Sequence, residues 1–221
     1  MAVYRHGDLD HLAKLLAGAD RAVVVTDTVF SMDGDVADLG ALAELCALRG
    51  ALLVLDEAHA VLGPQLDPPP GLEVLRVGTL SKTLGSIGGF VAGPASLVDV
   101  ILNRSRPFIF TTASPPADAA AALAALAVVR SAEGDRLVTR LRHHVDRLRA
   151  GHPSPIVPIL LGDEQRAVDA AARLLDQGLL APAIRPPTVP AGTARLRVTL
   201  SAAHDDADVD RLLTALVALD A

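Results

Sequence analysis

Three short apolar runs constrain the fold of this chain more than any other feature. They are AVVVTD (22–27), ALLVLDE (51–57) and EVLRVGTL (73–80). Each is rich in β-branched and aliphatic residues and is bounded by turn or polar residues, the pattern of a strand buried in a sheet. Residues 36–49 separate the first two runs and read as a helix ending at Gly50, while a loop over 60–72 containing Pro68, Pro69 and Pro70 separates the next two. Strands that alternate with helices or long loops argue for a mainly parallel sheet with covered faces. GGFVAG (88–93) is a fourth strand. The loop before it is too short for a parallel crossover, so it is expected to pair antiparallel with the third.

Ahead of the sheet, DLDHLAKLLAG (8–18) fits a short amphipathic helix with Asp8 as its cap. Beyond it, 94–106 reads as a helix, 107–116 (PFIFTTASPP) as an extended piece and turn, 117–133 as an Ala-rich helix and 134–150 as a charged one. After GHPSP the pattern restarts: strand 156–162, helix 163–177, short strand 181–185, strand 194–201 and helix 205–219. That order describes a small α+β unit. The expected organisation is therefore α/β: a first domain over 1–125 and a small C-terminal domain over 126–221.

Composition removes several classes of function. Charged residues make up 21% and hydrophobic residues 51% of 221, a globular balance rather than a disordered one. Aromatics are only 2%, too few for a base-stacking surface, and a formal charge of −6 argues against a general phosphate-backbone binder. No partnership with nucleic acid is expected. The single cysteine, Cys46, excludes a disulfide framework and a cysteine zinc site, and it sits in a helical stretch as a small buried hydrophobe. No metal site is expected. No apolar run reaches the length of a membrane span and MAVYRHGDLDHL is no signal segment, so the expected compartment is the cytoplasm.

Among 20 basic residues only Lys14 and Lys82 are lysines. An arginine cannot give up its proton, so a chain that uses Arg so heavily and keeps a Lys draws attention to that amine. Lys14 occupies an ordinary helix position; Lys82 lies in GTLSKTLGSIGG, a Gly- and Ser-rich turn after a strand. Around it, three strand ends carry polar side chains: Ser31 after the first strand, Asp56 and His59 after the second, and Thr79, Ser81 and Lys82 after the third. Ligands of open α/β sheets bind outside the carboxyl ends of the strands. Pyridoxal phosphate chemistry wants these types together. Lys82 supplies an amine for a Schiff base, and Asp56 a partly desolvated carboxylate for the pyridine nitrogen. Thr79, Ser81 and nearby backbone N–H groups suit a phosphate, and His59 could donate to the ring oxygen.

TVFSMDGD, LDEAHA, VGTLSKTLGSIGGFV, FTTASPPA and AIRPPTVPAGTARLRVTLSAAH, taken in that order, resemble the α-oxoamine synthases across essentially the whole chain. The resemblance implies a fold-type-I aminotransferase-like large domain, pyridoxal phosphate as cofactor, and decarboxylative condensation of an amino acid with an acyl thioester. It implies further that Lys82 is the Schiff-base lysine, Asp56 the partner of the pyridine nitrogen, and Thr79 a phosphate ligand. His59 and Ser31 would lie around the ring and its phenolic oxygen. Thr111 and Thr112 would belong to the segment that reaches the phosphate of a partner subunit. Thr188 and Arg197 would contact substrate, with Arg197 clamping a carboxylate, a task its bidentate fork suits. In ARLRVTL the strand alternation also puts Arg195 and Arg197 on one face. IRPPTVP followed by GTARLR favours members that join L-alanine to a pimeloyl thioester, carried on coenzyme A or a carrier protein, over glycine-using ones.

Two positions depart from the family pattern: Ala60 follows the DEAH-type His where Gly is usual, and Ile87 stands where an aromatic is common. Family members are also much longer. The resemblance makes this chain the C-terminal part of their fold, without the Gly-rich turn and the ring-stacking His of the first part. The expected partners are accordingly a second copy or an N-terminal half. A non-catalytic fragment is the competing reading. DEAH also names a helicase motif, but no G-x-x-x-x-G-K-[ST] loop precedes it here.

Overall fold

The computed structural model describes residues 1–60, 64 and 66–219. The expected loop over 60–72 therefore lies partly outside the described residues. The chain divides into two units, one of residues 1–29 and 36–127, the other of 30–35 and 128–221.

In the first unit β1 (Val23–Asp27), β2 (Leu52–Asp56), β3 (Val74–Thr79) and β4 (Gly89–Ala92) form one sheet in the order β1-β2-β3-β4. The first three run parallel, and β4 is antiparallel to β3. Helix α1 (Leu9–Ala17) begins where Asp8 accepts from the His11 backbone N–H. Helix α2 (Leu39–Arg49) begins later than the sequence suggests, because Asp38 accepts from the Ala41 N–H and so caps it. Residues before that cap are held to the strand side instead, with the Ala37 N–H donating to the Thr28 carbonyl. Gly50 ends α2 in the left-handed region at φ 60°.

Leu12 and Leu16 of α1 and Leu42, Ala43 and Cys46 of α2 pack with Val24, Leu53 and Leu55 from the sheet. Burying each of these larger aliphatic side chains is worth about 1.5–3 kcal/mol. The expectation of fully covered faces does not hold at β1. Val24 and Thr26 point inward, but Val23 and Val25 stay 59% and 62% exposed.

The stretch after β4 departs further from expectation. Helix α3 (Ala95–Arg104) stops at Ser105, which is extended, and α4 (Arg106–Ile109) adds one turn where an extended piece was expected. Pro107 at the start of that turn explains it: its fixed φ suits a helix's first positions, where its missing N–H costs nothing. Helix α5 (Pro116–Val129) also ends before residue 133. Ser131 caps α6 (Ala132–Leu148) by accepting from the Glu133 and Gly134 N–H groups, which moves the break to 130–131.

The second unit carries a three-stranded antiparallel sheet, β5 (Ile156–Gly162), β6 (Ala183–Ile184) and β7 (Ala194–Thr199), in the order β5-β7-β6. Helices α6, α7 (Glu164–Leu175) and α8 (Asp206–Val217) accompany it. Val145, Val157, Leu174, Leu196, Val198 and Leu212 form its centre. The segment 30–35 belongs with this unit rather than with the residues on either side of it. Asp33 pairs with Arg195. A Cβ on Gly34 would meet the Ile156 carbonyl oxygen at 1.8 Å, so only glycine fits there. No described helix is long and apolar enough to cross a membrane.

Candidate functional site

The chemistry-bearing residues of the first unit collect at the carboxyl ends of β1, β2 and β3. Asp56 is the last residue of β2, and its Oδ1 accepts from the Ala58 N–H at 2.8 Å. That bond turns the chain just beyond the strand and fixes the carboxylate at the sheet edge. Glu57 next to it faces the other way, as alternation in an extended chain requires. It is 3% exposed and takes Arg76 Nε at 2.6 Å. Burial pushes the Glu57 carboxyl up, an effect Arg76 opposes and the nearby Asp56 reinforces. The adjacent acids thus divide their work, Glu57 in the interior and Asp56 at the edge.

Lys82 stands in the loop from β3 to β4. This loop is closed by backbone bonds from Gly85 to Lys82, from Ser86 to Leu80 and from Leu80 to Gly88. The Ser86 hydroxyl ties it to α5 through the Asp118 carbonyl at 2.6 Å. On this support Lys82 Nζ lies 3.1 Å from His59 Nε2. An amine and an imidazole 23 positions apart in sequence thus share a hydrogen bond. Thr79 and Ser81 meet at 2.7 Å between hydroxyls, and the Ser81 N–H also donates to Thr79 Oγ1 at 3.2 Å. The pair is exposed and offers two hydroxyls to an anion.

Asp27 is the site residue that sequence reasoning missed. It ends β1 and pairs in register with Asp56 across the parallel ladder. Opposed residues of neighbouring strands share a face, so the two carboxylates are side by side. Burial first, and then Asp56, raise the Asp27 carboxyl from its ordinary value, while Lys82 pulls it back down. The signal was in the sequence: AVVVTD ends in Asp just as ALLVLD does.

The other expected site residues are placed differently. Thr111 and Thr112 follow α4 on the exposed surface, where the Thr111 hydroxyl is 3.5 Å from the Thr112 carbonyl. Ser31 lies in the 30–35 segment, half-buried, within the second unit. Thr188 is exposed, and its N–H donates to the Arg185 carbonyl in a turn. Arg197 on β7 is half-buried, and its Nε is buried without a hydrogen-bond partner among the described residues. Burial lowers its guanidinium from the ordinary value. Its neighbour on the same strand face, Arg195, is instead consumed by structure: it pairs with Asp33, and its Nε donates to the Thr193 carbonyl at 3.0 Å. No cluster of ligands able to hold a metal ion occurs among the described residues.

An amine–imidazole pair beside strand-end carboxylates, on a parallel sheet closed by one antiparallel strand, is the setting in which known relatives can be compared. The profile of the family Aminotransferase class I and II matches residues 1–216, and the chain belongs to that family. The 8-amino-7-oxononanoate synthase of Anaeromyxobacter dehalogenans is 51% identical over 233 residues, covering 96% of this chain and 58% of the relative. That of Acidithiobacillus ferrooxidans is 48% identical, covering 96% and 59%. The chain thus spans about three fifths of the length of the curated relatives it matches. Among solved structures, Sphingomonas wittichii serine palmitoyltransferase is 28% identical with a TM-score of 0.88, covering 98% of this chain and 59% of that one. The 8-amino-7-oxononanoate synthase of Francisella tularensis shares the fold at a TM-score of 0.77 and 23% identity, covering 96% and 66%. Its neighbours are thus fold-type-I enzymes, the α/β class expected from the strand pattern.

Proposed function

We propose that the chain is the cofactor-holding and substrate-binding part of an 8-amino-7-oxononanoate synthase of biotin biosynthesis. Such an enzyme joins L-alanine to a pimeloyl thioester with loss of carbon dioxide, using pyridoxal 5'-phosphate. The observation that carries this reading is the 3.1 Å contact of Lys82 Nζ with His59 Nε2 next to Asp56, in a chain about half identical to synthases of that name.

The residues fit the cofactor. Lys82 is the amine able to attack its aldehyde, and His59 Nε2 is placed to take a proton from Nζ or return it. Asp56, with one oxygen held by the Ala58 N–H, has its second oxygen for the ring nitrogen. Thr79 and Ser81 offer hydroxyls to the phosphate. Bound there, the cofactor would supply an electron sink for cleavage and formation of bonds at the amino-acid α-carbon. On the substrate side, Arg197, whose Nε is without a hydrogen-bond partner among the described residues, suits a carboxylate, with Thr188 as a further contact. Ser31 keeps its role near the ring's phenolic oxygen, and Thr111 and Thr112 theirs toward the phosphate of a partner subunit. A second copy, or a chain supplying the remaining length of the relatives, would complete the enzyme. Its expected compartment is the cytoplasm.

The test is to incubate the chain with pyridoxal phosphate, reduce with borohydride and map the modified peptide. Label on Lys82 is expected. Label confined to Lys14, or absent from both lysines, overturns the assignment. Product formed from L-alanine and pimeloyl-CoA, with the chain alone or with a completing polypeptide, decides the substrate class.

A further inference from the structure

Asp27 has no counterpart among the groups assigned above. Its carboxylate stands beside that of Asp56 at the ends of two parallel strands, on one face and in register. Asp56 has a donor in the Ala58 N–H, whereas the Asp27 carboxylate accepts no hydrogen bond among the described residues. A half-buried carboxylate next to another one costs free energy in the empty protein. A structural acid would be given a donor, as Glu57 is given Arg76. The charged groups that Asp27 feels are Asp56 on β2 and Lys82 in the loop after β3. Lys82 offsets the two acids only while it keeps its proton, and it must give that proton up before its amine can attack a carbonyl.

We propose that Asp27 is a positioning residue for a cationic heterocycle, doubling with Asp56 the negative charge that meets a protonated ring nitrogen. The inference rests on the cofactor reading given above. Asp56 would touch the ring, and Asp27 would act beside it through the field. The pair would favour the protonated ring over the neutral one, because two anionic groups lower the energy of a cation that neither can fully neutralise from the sheet edge. Burial and Asp56 hold the Asp27 carboxyl above its ordinary value, so Asp27 gains its proton earlier than an ordinary carboxyl as pH falls. Its contribution to affinity is present above its raised value and is lost below it.

The probe is pyridoxine 5'-phosphate, an alcohol that cannot condense with Lys82, titrated by its ring fluorescence against the chain and its Asp27→Asn, Asp27→Glu and Asp56→Asn variants. Asp27→Asn is expected to weaken binding about tenfold near neutral pH. It should also flatten the loss of affinity seen as pH falls, and Asp27→Glu should restore much of both. With the analogue whose ring nitrogen is replaced by carbon, wild type and Asp27→Asn should bind equally. The thermal midpoint of Asp27→Asn should stay level or rise, since a like charge is relieved; a purely structural acid would lower it. Equal affinities for wild type and Asp27→Asn, with Asp56→Asn impaired, overturn the role of Asp27 and leave the cofactor reading standing. An Asp27→Asn loss that is the same for the carbon analogue overturns the charge argument. No binding of the probe to folded wild-type chain overturns both.

Discussion

The two units solve the problem of burying a sheet in different ways. In the second, β7 has five of its residues buried or half-buried, from Ala194 to Val198, and α6, α7 and α8 each turn an apolar stripe inward. In the first, α1 and α2 cover one side of the sheet, but α3 buries no residue, α5 buries only Ala122, and Val23, Val25, Phe110 and Leu123 remain exposed. Helix α5 is apolar nearly all round, PADAAAALAALAVV, and so has no stripe by which to choose a side. The unit with the incomplete cover is also the one that carries Lys82, His59, Asp56 and Asp27. The second unit closes its core between its sheet and three helices, and the first sets Lys82, His59, Asp56 and Asp27 at the edge of a sheet whose buried side packs against α1 and α2.

The largest effect should separate chemistry from stability. Asp56→Asn keeps the acceptor for the Ala58 N–H but removes the charge. In a complete enzyme it should lower kcat about 10²–10³-fold while leaving the thermal midpoint nearly unchanged. A variant of full activity would make Asp56 only a strand-end cap. Next come the cores. Leu196→Ala in the second unit and Leu53→Ala in the first, both fully buried, should each cost about 2–5 kcal/mol in denaturant unfolding. Val25→Ala, at 62% exposure, should stay within about 0.5 kcal/mol. If Val25→Ala costs as much as Leu53→Ala, the outer face of β1 is covered in solution and the contrast between the units fails.

Smaller effects sharpen it. Asp205 and Asp208 form a reciprocal cap at the start of α8, and Asp205→Ala should cost about 1 kcal/mol, read as faster hydrogen exchange in that helix. In the first unit, burial pushes the Cys46 thiol up to about 11. A thiol reagent near neutral pH should label Cys46 only when the unit opens, so its rate reports the opening of the first unit without contribution from the second. The pH response should differ in sign. Arg142 first, with the Gly151 N–H, lowers Asp146 in the second unit from 3.8 to about 2. Its contribution is therefore present above the ordinary value and lost as pH falls toward 2. Glu57 in the first unit is raised, so the fold favours its protonated form, and that contribution is lost as pH climbs through the elevated value. Carbon-detected titration of the two carboxyls would read both directions.

Several features were legible in the residues because they are local. The strands 22–27, 51–57 and 73–80, the antiparallel return at 88–93, the Asp8 cap and the Gly50 stop depend on periodicity and on side chains that bond their own backbone. The break at Ser131 and the turn at Pro107 were legible in principle, since a Ser cap and a Pro at a first turn are short-range signals. Of the site, Lys82, His59 and Asp56 follow from the Lys count and the strand ends.

What the tertiary structure alone decided involves partners far apart in sequence. Only the strand register sets Asp27 beside Asp56, because a one-residue slip would send one carboxylate to the other face. Only the fold commits Arg195 to Asp33 and leaves the Arg197 Nε without a partner among the described residues, although ARLR presents the two arginines identically. Only the fold assigns 30–35 to the second unit, through a contact at Gly34 that no local pattern announces. Periodicity along one segment encodes which face is apolar. Which residue meets that face depends on how distant segments pack, and that is settled when they bury their surfaces together.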